Sequence, residues 1–335
     1  MNQIRKILVT GGAGFIGSFI SEILAKHGYE IIIYDNLSTG SIDNIRELLK
    51  MENVKFVKGD ILDMQKLLDI SKGVDVIIHQ AAQLEISTAI NKPLFDLKVN
   101  VEGTLNLLEI AVKHGIKRFI FASSAAVYGE PIYVPQDEDH PKNPKWPYGA
   151  SKLACEYYLK VYYNLYGIRS VSLRYGIVYG PREWFGRVLT IFIRRIFIEN
   201  LPPVIFGDGK NTRDFVYVED VARACQIILE QDDYECEVYN VSSGEEVSII
   251  NLARMLIDIS GKDIELMFED VPEGGYSKIT GRWRIKNELK RMWMDIKRIR
   301  NKYGWKPLVN LREGVMREIE WILKNPDRWK SPPRV

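Results

Sequence analysis

A glycine-rich segment near the beginning of the sequence restricts the possible folds more than any other feature. Residues 4–10 form a short apolar run that predicts a buried strand, and a glycine-rich run from Gly11 to Gly17 (GGAGFIG) follows it directly. A helical pattern then extends to about Lys26. Glycines between a strand and a helix permit a tight turn and let a pyrophosphate approach the backbone. Amides at the beginning of the helix would bind its phosphates, so the segment predicts a dinucleotide-binding βαβ unit.

The next predicted strand ends in an acidic residue. It runs from Tyr29 to Tyr34 and is followed by Asp35, about 20 residues beyond the glycines, which is typical of the acid that binds an adenosine ribose. Residues 36–40 contain no arginine or lysine that could pair with a 2′-phosphate. The pattern therefore favours NAD over NADP.

Strand-like and helix-like segments alternate through the first half of the chain. Further strands are predicted at 54–59, 74–80, 116–122 and 170–173, and helices at 62–71, 93–114 and 147–166. This alternation predicts an α/β fold of the Rossmann type, in which a doubly wound parallel sheet binds ligands at the carboxyl ends of its strands. Asp60, Ala81 and Ser124 all stand at such strand ends.

The alternation becomes irregular beyond residue 180. Turn-rich sequence at 201–209 is followed by a short predicted strand at 213–218 and by predicted helices at 219–231, 248–260 and 310–324. We therefore expect an NAD-binding domain over 1–180, to which some later segments return, and a smaller mixed α/β substrate-binding part over 181–330.

Composition excludes several other classes of protein. The 335 residues are 46% hydrophobic and carry a formal net charge of +2, which predicts a packed core and gives no sign of general nucleic-acid binding. Three cysteines without Cys-x-x-Cys spacing and four scattered histidines argue against a disulfide framework or a metal site and suggest a reducing compartment. No apolar run approaches the ~18 residues that a membrane span requires. We expect a cytoplasmic protein with no nucleic-acid or membrane partner.

Tyr148 and Lys152 are candidate catalytic residues. They lie four residues apart, just after Pro147, so a helix that begins at the proline would place both side chains on one face. An ammonium one turn away favours the charged form of a phenol, so we expect it to lower the pKa of Tyr148. A tyrosinate held in this way can accept a proton from an alcohol while a hydride leaves the same carbon. Taken alone, the pair is more simply explained as an exposed helix pair.

Short motifs follow one another in a fixed order along nearly the whole chain. Besides the glycine-rich run and the Tyr148–Lys152 pair, they are residues 35–37 (DNL), 59–60 (GD), 79–82 (HQAA), 100–104 (NVEGT), 123–129 (SSAAVYG), 178–182 (VYGPR), 213–218 (RDFVYV) and 304–307 (GWKP). In this order they resemble the extended short-chain dehydrogenase/reductase family, in its nucleotide-sugar epimerase and dehydratase group.

The resemblance implies a role for each matched residue. Tyr148 would be the base, Lys152 its electrostatic partner and a ligand of the nicotinamide ribose, and Ser124 a hydroxyl relay to the sugar. NAD is implied as the cofactor, and the residues implied to bind it, besides Tyr148 and Lys152, are Gly11, Gly14, Phe15, Ile16, Gly17, Asp35, Asn36, Asp60, Ile61, Ala81, Ala82, Asn100, Ser123 and Tyr175. Asn100 is explained equally well as a helix-capping side chain. The implied substrate contacts are Ser124, Phe206, Arg213, Arg284 and Met292.

The residues after Ser124 discriminate among reactions of this group. Similar 4,6-dehydratases carry an Asp-Glu pair there, and this chain has Ala125-Ala126. The remaining set of Ser124, Tyr148 and Lys152 resembles the UDP-glucose 4-epimerases, which implies interconversion of UDP-glucose and UDP-galactose through a transient 4-keto sugar. The alternatives are a 4-epimerase of a UDP-N-acetylhexosamine or UDP-glucuronate, a nucleotide-sugar reductase or dehydrogenase, and a binding protein that senses the dinucleotide.

Two segments depart from the epimerase pattern. Gly176-Ile177 replaces an aromatic residue and an asparagine, and from this we expect a roomier, less polar sugar site that tolerates N-acetyl sugars beside Met292. Residues 282–302 replace an Arg-Pro-Gly-Asp turn and hold nine basic residues against two acidic ones. They are interpreted equally well as a solvated face or as a diphosphate clamp, with a nucleic-acid surface third.

Two predicted helices carry apolar residues on more than one face. The examples are Leu105, Leu108, Leu153, Tyr157 and Val161, in the helices at 93–114 and 147–166. The resemblance implies a homodimer in which these helices form a four-helix bundle.

Overall fold

A computed structural model describes residues 4–231 and 233–329. Its strands are β1 Lys6–Thr10, β2 Glu30–Asp35, β3 Val54–Lys58, β4 Val76–His79, β5 Arg118–Ser124, β6 Arg169–Tyr175, β7 Ile177–Tyr179, β8 Val204–Phe206, β9 Thr212–Arg213, β10 Phe215–Tyr217, β11 Cys236–Val241, β12 Val247–Ser248 and β13 Met267–Glu269. Seven of them form one parallel sheet in the order β3-β2-β1-β4-β5-β6-β11, so the predicted doubly wound sheet is confirmed.

Helices cover both faces of this sheet. They are α1 Phe15–Lys26, α2 Met64–Ile70, α3 Ile86–Asn91, α4 Pro93–Leu97, α5 Gly103–His114, α6 Pro147–Tyr166, α7 Val188–Ile193, α8 Val218–Leu229, α9 Ile249–Ser260, α10 Lys297–Tyr303 and α11 Leu311–Lys324. Apolar residues of α1 and α8 pack on one face, and those of α2, α5 and α6 pack on the other. Because strands buried on both faces need apolar side chains at every position, β1, β2 and β4 are nearly continuous hydrophobic runs.

The part of the chain around α7, α9 and α11 is built from smaller pieces. Three two-stranded sheets pair β7 with β10, β8 with β13, and β9 with β12. Their apolar residues and those of the three helices form a separate core. The domain division at residue 180 remains a prediction, and the structure adds that α8 and β11, which follow residue 180, belong to the main sheet and its helical layer.

Two predicted elements are interrupted in the structure. The strand predicted at 213–218 is divided into β9 and β10, because the chain changes sheets at Asp214: β9 pairs with β12 and β10 pairs with β7. The Asp214 carboxylate accepts the amides of Ser243 and Met294, at 2.9 and 3.1 Å, and so fixes the change of direction. The helix predicted at 93–114 is confirmed as a helical run, but residues 98–102 between α4 and α5 adopt a π-helical conformation.

A buried ion pair joins β5, β6 and α6 close to the carboxyl ends of the strands. Arg174 donates two hydrogen bonds to the Glu156 carboxylate, at 2.9 and 2.6 Å, and both side chains are almost fully buried. Glu156 also accepts the Ser123 hydroxyl at 2.6 Å, and Arg174 donates to the Tyr128 hydroxyl at 2.8 Å. The position of Ser123 relative to α6 is therefore fixed by a fully hydrogen-bonded charge pair.

The segment 304–307 anchors the end of the chain to the main sheet. Trp305 is fully buried against the core under α8, and its indole nitrogen donates to the Asp220 carbonyl oxygen at 3.0 Å. The Asp220 carboxylate accepts the amides of Leu308 and Val309. One acidic residue of α8 therefore positions the chain that leads into α11.

Candidate active site

The glycine-rich run lies against the turn that follows β4, with no space for a side chain at Gly11 or Gly17. A Cβ on Gly11 would lie 2.6 Å from the Ala81 nitrogen, and a Cβ on Gly17 would lie 2.2 Å from the Gly11 oxygen. Gly11 has a φ of +68°, which favours glycine. At Gly14, which precedes α1, no side chain caps the first amides of the helix. The segment therefore presents an uncapped helix N-terminus at the carboxyl end of the sheet, as an anion site requires.

A buried polar chain supports the turn that ends in Ala81. The Thr10 hydroxyl lies 2.7 Å from Nδ1 of His79, and His79 Nε2 lies 3.1 Å from the Thr104 hydroxyl. Thr104 donates its own hydrogen to the Asn100 carbonyl oxygen, so its hydroxyl accepts from His79 Nε2–H. Burial holds the pKa of His79 well below its usual value, so the imidazole is neutral and structural.

Two acidic residues follow each other along the sheet edge, Asp35 at the end of β2 and Asp60 just after β3. Backbone amides hold Asp35, and the side chain of Asn36 holds Asp60. Asp35 accepts the amides of Ala13, at 3.0 Å, and Leu37, at 2.8 Å. Burial raises the pKa of Asp35, and these hydrogen bonds act against the rise. Asn36 donates to the Asp60 carboxylate at 2.8 Å. The two predicted adenosine-binding acids thus stand side by side at one end of the site, and their predicted roles stay untested.

Tyr148, Lys152 and Ser124 meet at the ends of β5 and α6, as the sequence predicts. Lys152 and Tyr148 occupy successive turns of α6, and the Lys152 Nζ lies 5.9 Å from the centroid of the Tyr148 ring. The Nζ lies closer to the Phe121 ring, at 4.8 Å from its centroid. Ser124 accepts the Ala126 amide at 3.2 Å, and its hydrogen bond to the phenol favours the charged form of Tyr148.

Burial is the largest influence on the pKa values of Tyr148 and Lys152. Burial raises the pKa of Tyr148, and the hydrogen bond from Ser124 and the charge of Arg187 act against that rise without cancelling it. Burial likewise lowers the pKa of Lys152 to about 8. The net direction at Tyr148 is therefore upward, because loss of hydration outweighs the neighbouring charges.

Asn100 holds the loop that follows Ala82. Its side-chain amide accepts the Gln83 amide at 2.9 Å, donates to the Gln83 carbonyl oxygen at 2.9 Å and donates to Asp96 at 3.0 Å. Asp96 in turn accepts the hydroxyl of Ser151, next to Lys152, at 2.6 Å. Asn100 lies inside the π-helical segment, so it is not a helix cap. Sequence analysis missed Gln83 and Asp96, because neither belongs to a motif and the contacts span distant segments.

Three predicted substrate residues, Phe206, Arg213 and Arg284, lie together in the part of the chain around α7, α9 and α11, which we call the sugar side because the sugar is predicted to bind there. Arg284 donates to the Glu288 carboxylate at 3.0 Å, and Arg213 approaches the other oxygen of Glu288 to 3.4 Å. Arg284 also lies beside Gly207, next to Phe206 at the end of β8. One carboxylate therefore bridges the two arginines, and two guanidinium groups beside one another suit a diphosphate.

Met292 lies nearer the catalytic residues. It is buried in a cluster with Ala125, Trp146 and Leu289, close to the end of β5. The expectation that Gly176 makes the sugar site roomier is wrong, since a Cβ there would lie 2.0 Å from the Ser242 hydroxyl oxygen. Ile177 is half-buried between the two adjoining apolar clusters.

Acidic partners neutralise much of the basic stretch at 282–302. The paired cations are Arg284 with Glu288, Arg291 with Glu246, Lys297 with Asp295, Arg298 with Glu138 and Asp139, and Lys302 with Glu237. These pairs weaken the interpretation of the stretch as a nucleic-acid surface, since their charge is already balanced.

Two kinds of feature are absent from the described part of the chain. Within residues 4–231 and 233–329 no helix combines the length and the apolar composition needed to cross a membrane. No group of three or more histidine, cysteine or acidic side chains there is arranged to hold a metal ion.

Comparison with known proteins identifies the family. The family model described as GDP-mannose 4,6 dehydratase matches residues 8–318. The chain is 42% identical over 324 residues to a putative UDP-glucose 4-epimerase of Methanocaldococcus jannaschii, covering 95% of this chain and 99% of that protein. The chain belongs to the extended short-chain dehydrogenase/reductase family. Within that family, the proteins similar to this chain are NAD-dependent nucleotide-sugar epimerases and dehydratases.

Solved structures of relatives agree in fold. UDP-glucose 4-epimerase from Thermotoga maritima, with UDP-glucose, has a TM-score of 0.85 and 35% identity, covering 96% of this chain and 99% of that one. UDP-glucuronic acid 4-epimerase from Bacillus cereus, with UDP-glucuronic acid and NAD, has a TM-score of 0.85, 32% identity and the same coverage. The sugar thus differs among relatives of equal structural similarity.

NAD fits the residues that this member of the family presents. The uncapped N-terminus of α1 beside Gly14 suits a pyrophosphate, and the Asp35 carboxylate at the end of β2 suits the ribose. Lys152 and Tyr148 lie at the other end of the same edge of the sheet, beyond Ala81. The order of these groups along the edge matches the order of parts in a dinucleotide.

Proposed function

We propose that the protein is an NAD-dependent 4-epimerase that interconverts UDP-glucose and UDP-galactose through a transient 4-keto sugar. The observation that carries the proposal is the composition of the catalytic end of β5. Ser124, Tyr148 and Lys152 are grouped there, and the buried Ala125 and Ala126 occupy the places where dehydration would need a carboxyl pair. Reversible removal of one proton and one hydride needs no further acid.

Ser124, Tyr148 and Lys152 have different roles in the proposed reaction. Tyr148 accepts the proton of the C4 hydroxyl and returns it, directly or through Ser124. Ser124 can donate to the phenol, because its oxygen already accepts the Ala126 amide. Lys152 is buried beneath the phenol and adds positive charge at the place where the tyrosinate forms. Bound NAD supplies the acceptor for the hydride that leaves C4 and returns to it.

The sugar side supports a nucleotide diphosphate with a hexose. Arg213 and Arg284 present two guanidinium groups, and Glu288 is the group that a diphosphate would displace from between them. Met292, beside Ala125, is flexible enough to repack around an N-acetyl group at C2. We therefore propose that UDP-N-acetylhexosamines are also accepted, more slowly than the neutral hexoses.

The test is incubation of the purified protein with UDP-glucose, UDP-galactose, UDP-N-acetylglucosamine and UDP-glucuronate, followed by proton NMR of the products. We expect UDP-glucose and UDP-galactose to reach the same mixture from either side, with no net consumption of NAD. Accumulation of a 4-keto sugar that has lost water would instead identify a dehydratase. Turnover of UDP-glucuronate alone would contradict the assigned sugar.

We also propose that the protein works as a homodimer in the cytoplasm. Tyr157, Val161 and Leu165 form an exposed apolar stripe on α6, and Leu165 is 66% exposed. Of the five residues used in the sequence argument, Leu108 is fully buried and Leu105 and Leu153 are partly buried and pack inward, which leaves Tyr157 and Val161 exposed. The free cysteines, such as Cys155, suit a reducing compartment.

The stripe gives a direct test of the dimer. A Val161→Asp, Leu165→Asp variant places two charges on the face that a partner would cover, so we expect a monomer by light scattering at micromolar concentration. Ile132→Asp, at another exposed apolar position, is the matched control and should leave the dimer intact. A monomeric wild-type protein would contradict the proposal.

A further inference from the structure

Two buried carboxyl groups outside the catalytic set face each other, and three of their four oxygens have no hydrogen-bond partner among the described residues. Glu183 follows the segment 178–182, and Glu318 lies on α11; they are 2% and 1% exposed. Glu183 Oε2 and both carboxyl oxygens of Glu318 have no hydrogen-bond partner among the described residues. The nearby Tyr179 hydroxyl lies 3.5 and 3.4 Å from the carbonyl oxygens of Asn310 and Leu311, to which it donates.

Two carboxylates cannot both be charged in such a place. Burial strongly disfavours each charge, and a second charge beside the first disfavours it further. A proton on one carboxyl turns the pair into donor and acceptor and gives one oxygen of each residue a hydrogen-bond partner. Burial and the charge of Glu183 raise the pKa of Glu318 well above its usual value, and burial raises that of Glu183 to about 7.

Arg187 couples the Glu183–Glu318 pair to the active site electrostatically. The Arg187 Nη1 lies 3.5 Å from Glu183 Oε1 and donates to the Val178 carbonyl oxygen at 3.3 Å. The charge of Arg187 lowers the pKa of both Tyr148 and Glu85, so the guanidinium acts on the catalytic phenol as well as on the pair. Arg187 therefore contacts the buried pair and also acts electrostatically on the catalytic phenol.

We propose that Glu183 and Glu318 share a proton and that Arg187, held by this pair, is a positioning residue whose charge favours ionisation of Tyr148. The catalytic part of this statement rests on the proposed function, while the shared proton does not. When the pair is fully protonated, the charge of Arg187 is unbalanced by Glu183 and acts most strongly on the phenol. As Glu183 ionises near pH 7, its carboxylate balances Arg187 and the effect on the phenol decreases.

Two tyrosines and several charged side chains surround the pair. Tyr179 of β7 and Tyr217 of β10 face Glu318 and have raised pKa values, so both phenols stay neutral. Asp220 of α8 and Glu313 of α11 also act on Tyr179, and Arg317 of α11 stacks on the Tyr217 ring. We therefore assign the change of charge near pH 7 to Glu183 and Glu318, and Arg187 stays positively charged.

The sign of the stability effect follows from the raised pKa values. The folded protein binds protons at the pair that the unfolded chain releases above about pH 4.5, the usual value for a glutamate. The contribution to stability is therefore complete below that pH and is lost as the pH rises toward 7. For each extra bound proton, the folding equilibrium constant falls about tenfold per pH unit.

The first experiment measures chemical unfolding between pH 5 and pH 7 for the wild type, Glu318→Gln and Arg317→Gln. The amide introduced by Glu318→Gln keeps the shape of the side chain and donates to Glu183 without titrating. We expect the wild type to lose stability about tenfold per pH unit relative to Glu318→Gln. Arg317→Gln, on the same helix, should run parallel to the wild type. Parallel curves for all three would overturn the shared proton. If Glu318→Gln does not fold, Glu183→Gln is measured with the same expectation.

The second experiment follows kcat/KM against pH for Arg187→Gln and Arg187→Lys. We expect Arg187→Gln to move the acidic limb to higher pH, since a cation that favours the tyrosinate is lost, and Arg187→Lys to restore it. An unmoved limb in Arg187→Gln would overturn the positioning role. If the wild type turns over no nucleotide sugar, the proposed function fails, and the unfolding experiment still decides the shared proton.

Discussion

The cofactor side and the sugar side of the molecule are stabilised in different ways. On the cofactor side, seven parallel strands and two helical layers fix the positions of the ligand-binding loops by regular hydrogen bonding and apolar packing. On the sugar side, three two-stranded sheets are connected by single side chains such as Asp214 and Glu288. Substitution of one such side chain would affect several segments at once, which fits the variety of sugars among the relatives.

The largest expected effect is on the chemistry where the two sides meet. Tyr148→Phe removes the hydroxyl that accepts the proton, and we expect kcat to fall by ~10²–10⁴ while NAD remains bound. Steady-state rates and the NAD content of the purified variant are the measurements. Tyr157→Phe, at an exposed tyrosine of the same helix, is the matched control and should keep full activity. Near-normal turnover by Tyr148→Phe would disprove the assigned base.

The next effect tests the rigidity of the cofactor side. Arg174→Met leaves Glu156 charged, buried and without its partner, so we expect a loss of ~3–5 kcal/mol in the free energy of unfolding. Chemical denaturation measures it. The double variant Arg174→Met, Glu156→Leu removes both charges and should recover most of the loss. A single variant as stable as the double one would show that this pair does not hold β5, β6 and α6 together.

A smaller effect tests the choice of dinucleotide. Asp35→Ala should weaken NAD binding by ~1.5–3 kcal/mol, because hydrogen bonds from the ribose to a carboxylate are lost. Calorimetric titration of NAD and NADP into both proteins is the measurement. Asp43→Ala, at an exposed aspartate of the same region, is the control. Extraction of mainly NADP from the wild type would contradict the prediction.

The smallest effect asks whether the basic stretch on the sugar side binds the diphosphate. Arg284→Gln should raise KM for the UDP-sugar roughly tenfold with little change in kcat, as loss of a binding contact does. Arg300→Gln, at an exposed arginine of the same stretch, should leave KM unchanged. If Arg284→Gln and Arg300→Gln changed KM to the same extent, the stretch would be better interpreted as a solvated charged face.

Sequence reasoning predicted the cofactor side well, for a physical reason. Its signals are local: a glycine-rich turn must follow a strand, and an acid at the end of β2 must stand near it once the strands are parallel. Tyr148 and Lys152 are one helical turn apart, so their proximity also followed from the sequence.

The same reasoning failed where contacts join distant parts of the chain. The space beside Gly176 is filled by Ser242, and the strand predicted at 213–218 is divided at Asp214 by contacts with residues 243 and 294. The rise in the pKa of Tyr148 was not foreseen, because burial is a property of the whole fold. Local spacing carries no information about any of these.

The edge strand β11 limits how such a protein can acquire new substrates. It joins the main sheet beside β6 only after the chain has built β7 to β10 on the sugar side. A fragment that stopped at residue 180 would leave β6 as an unpaired edge, open to aggregation. Exchange of a C-terminal half between relatives would therefore have to replace part of the dinucleotide sheet as well. New sugar specificity is then expected to arise by point substitution within one gene and not by recombination of modules.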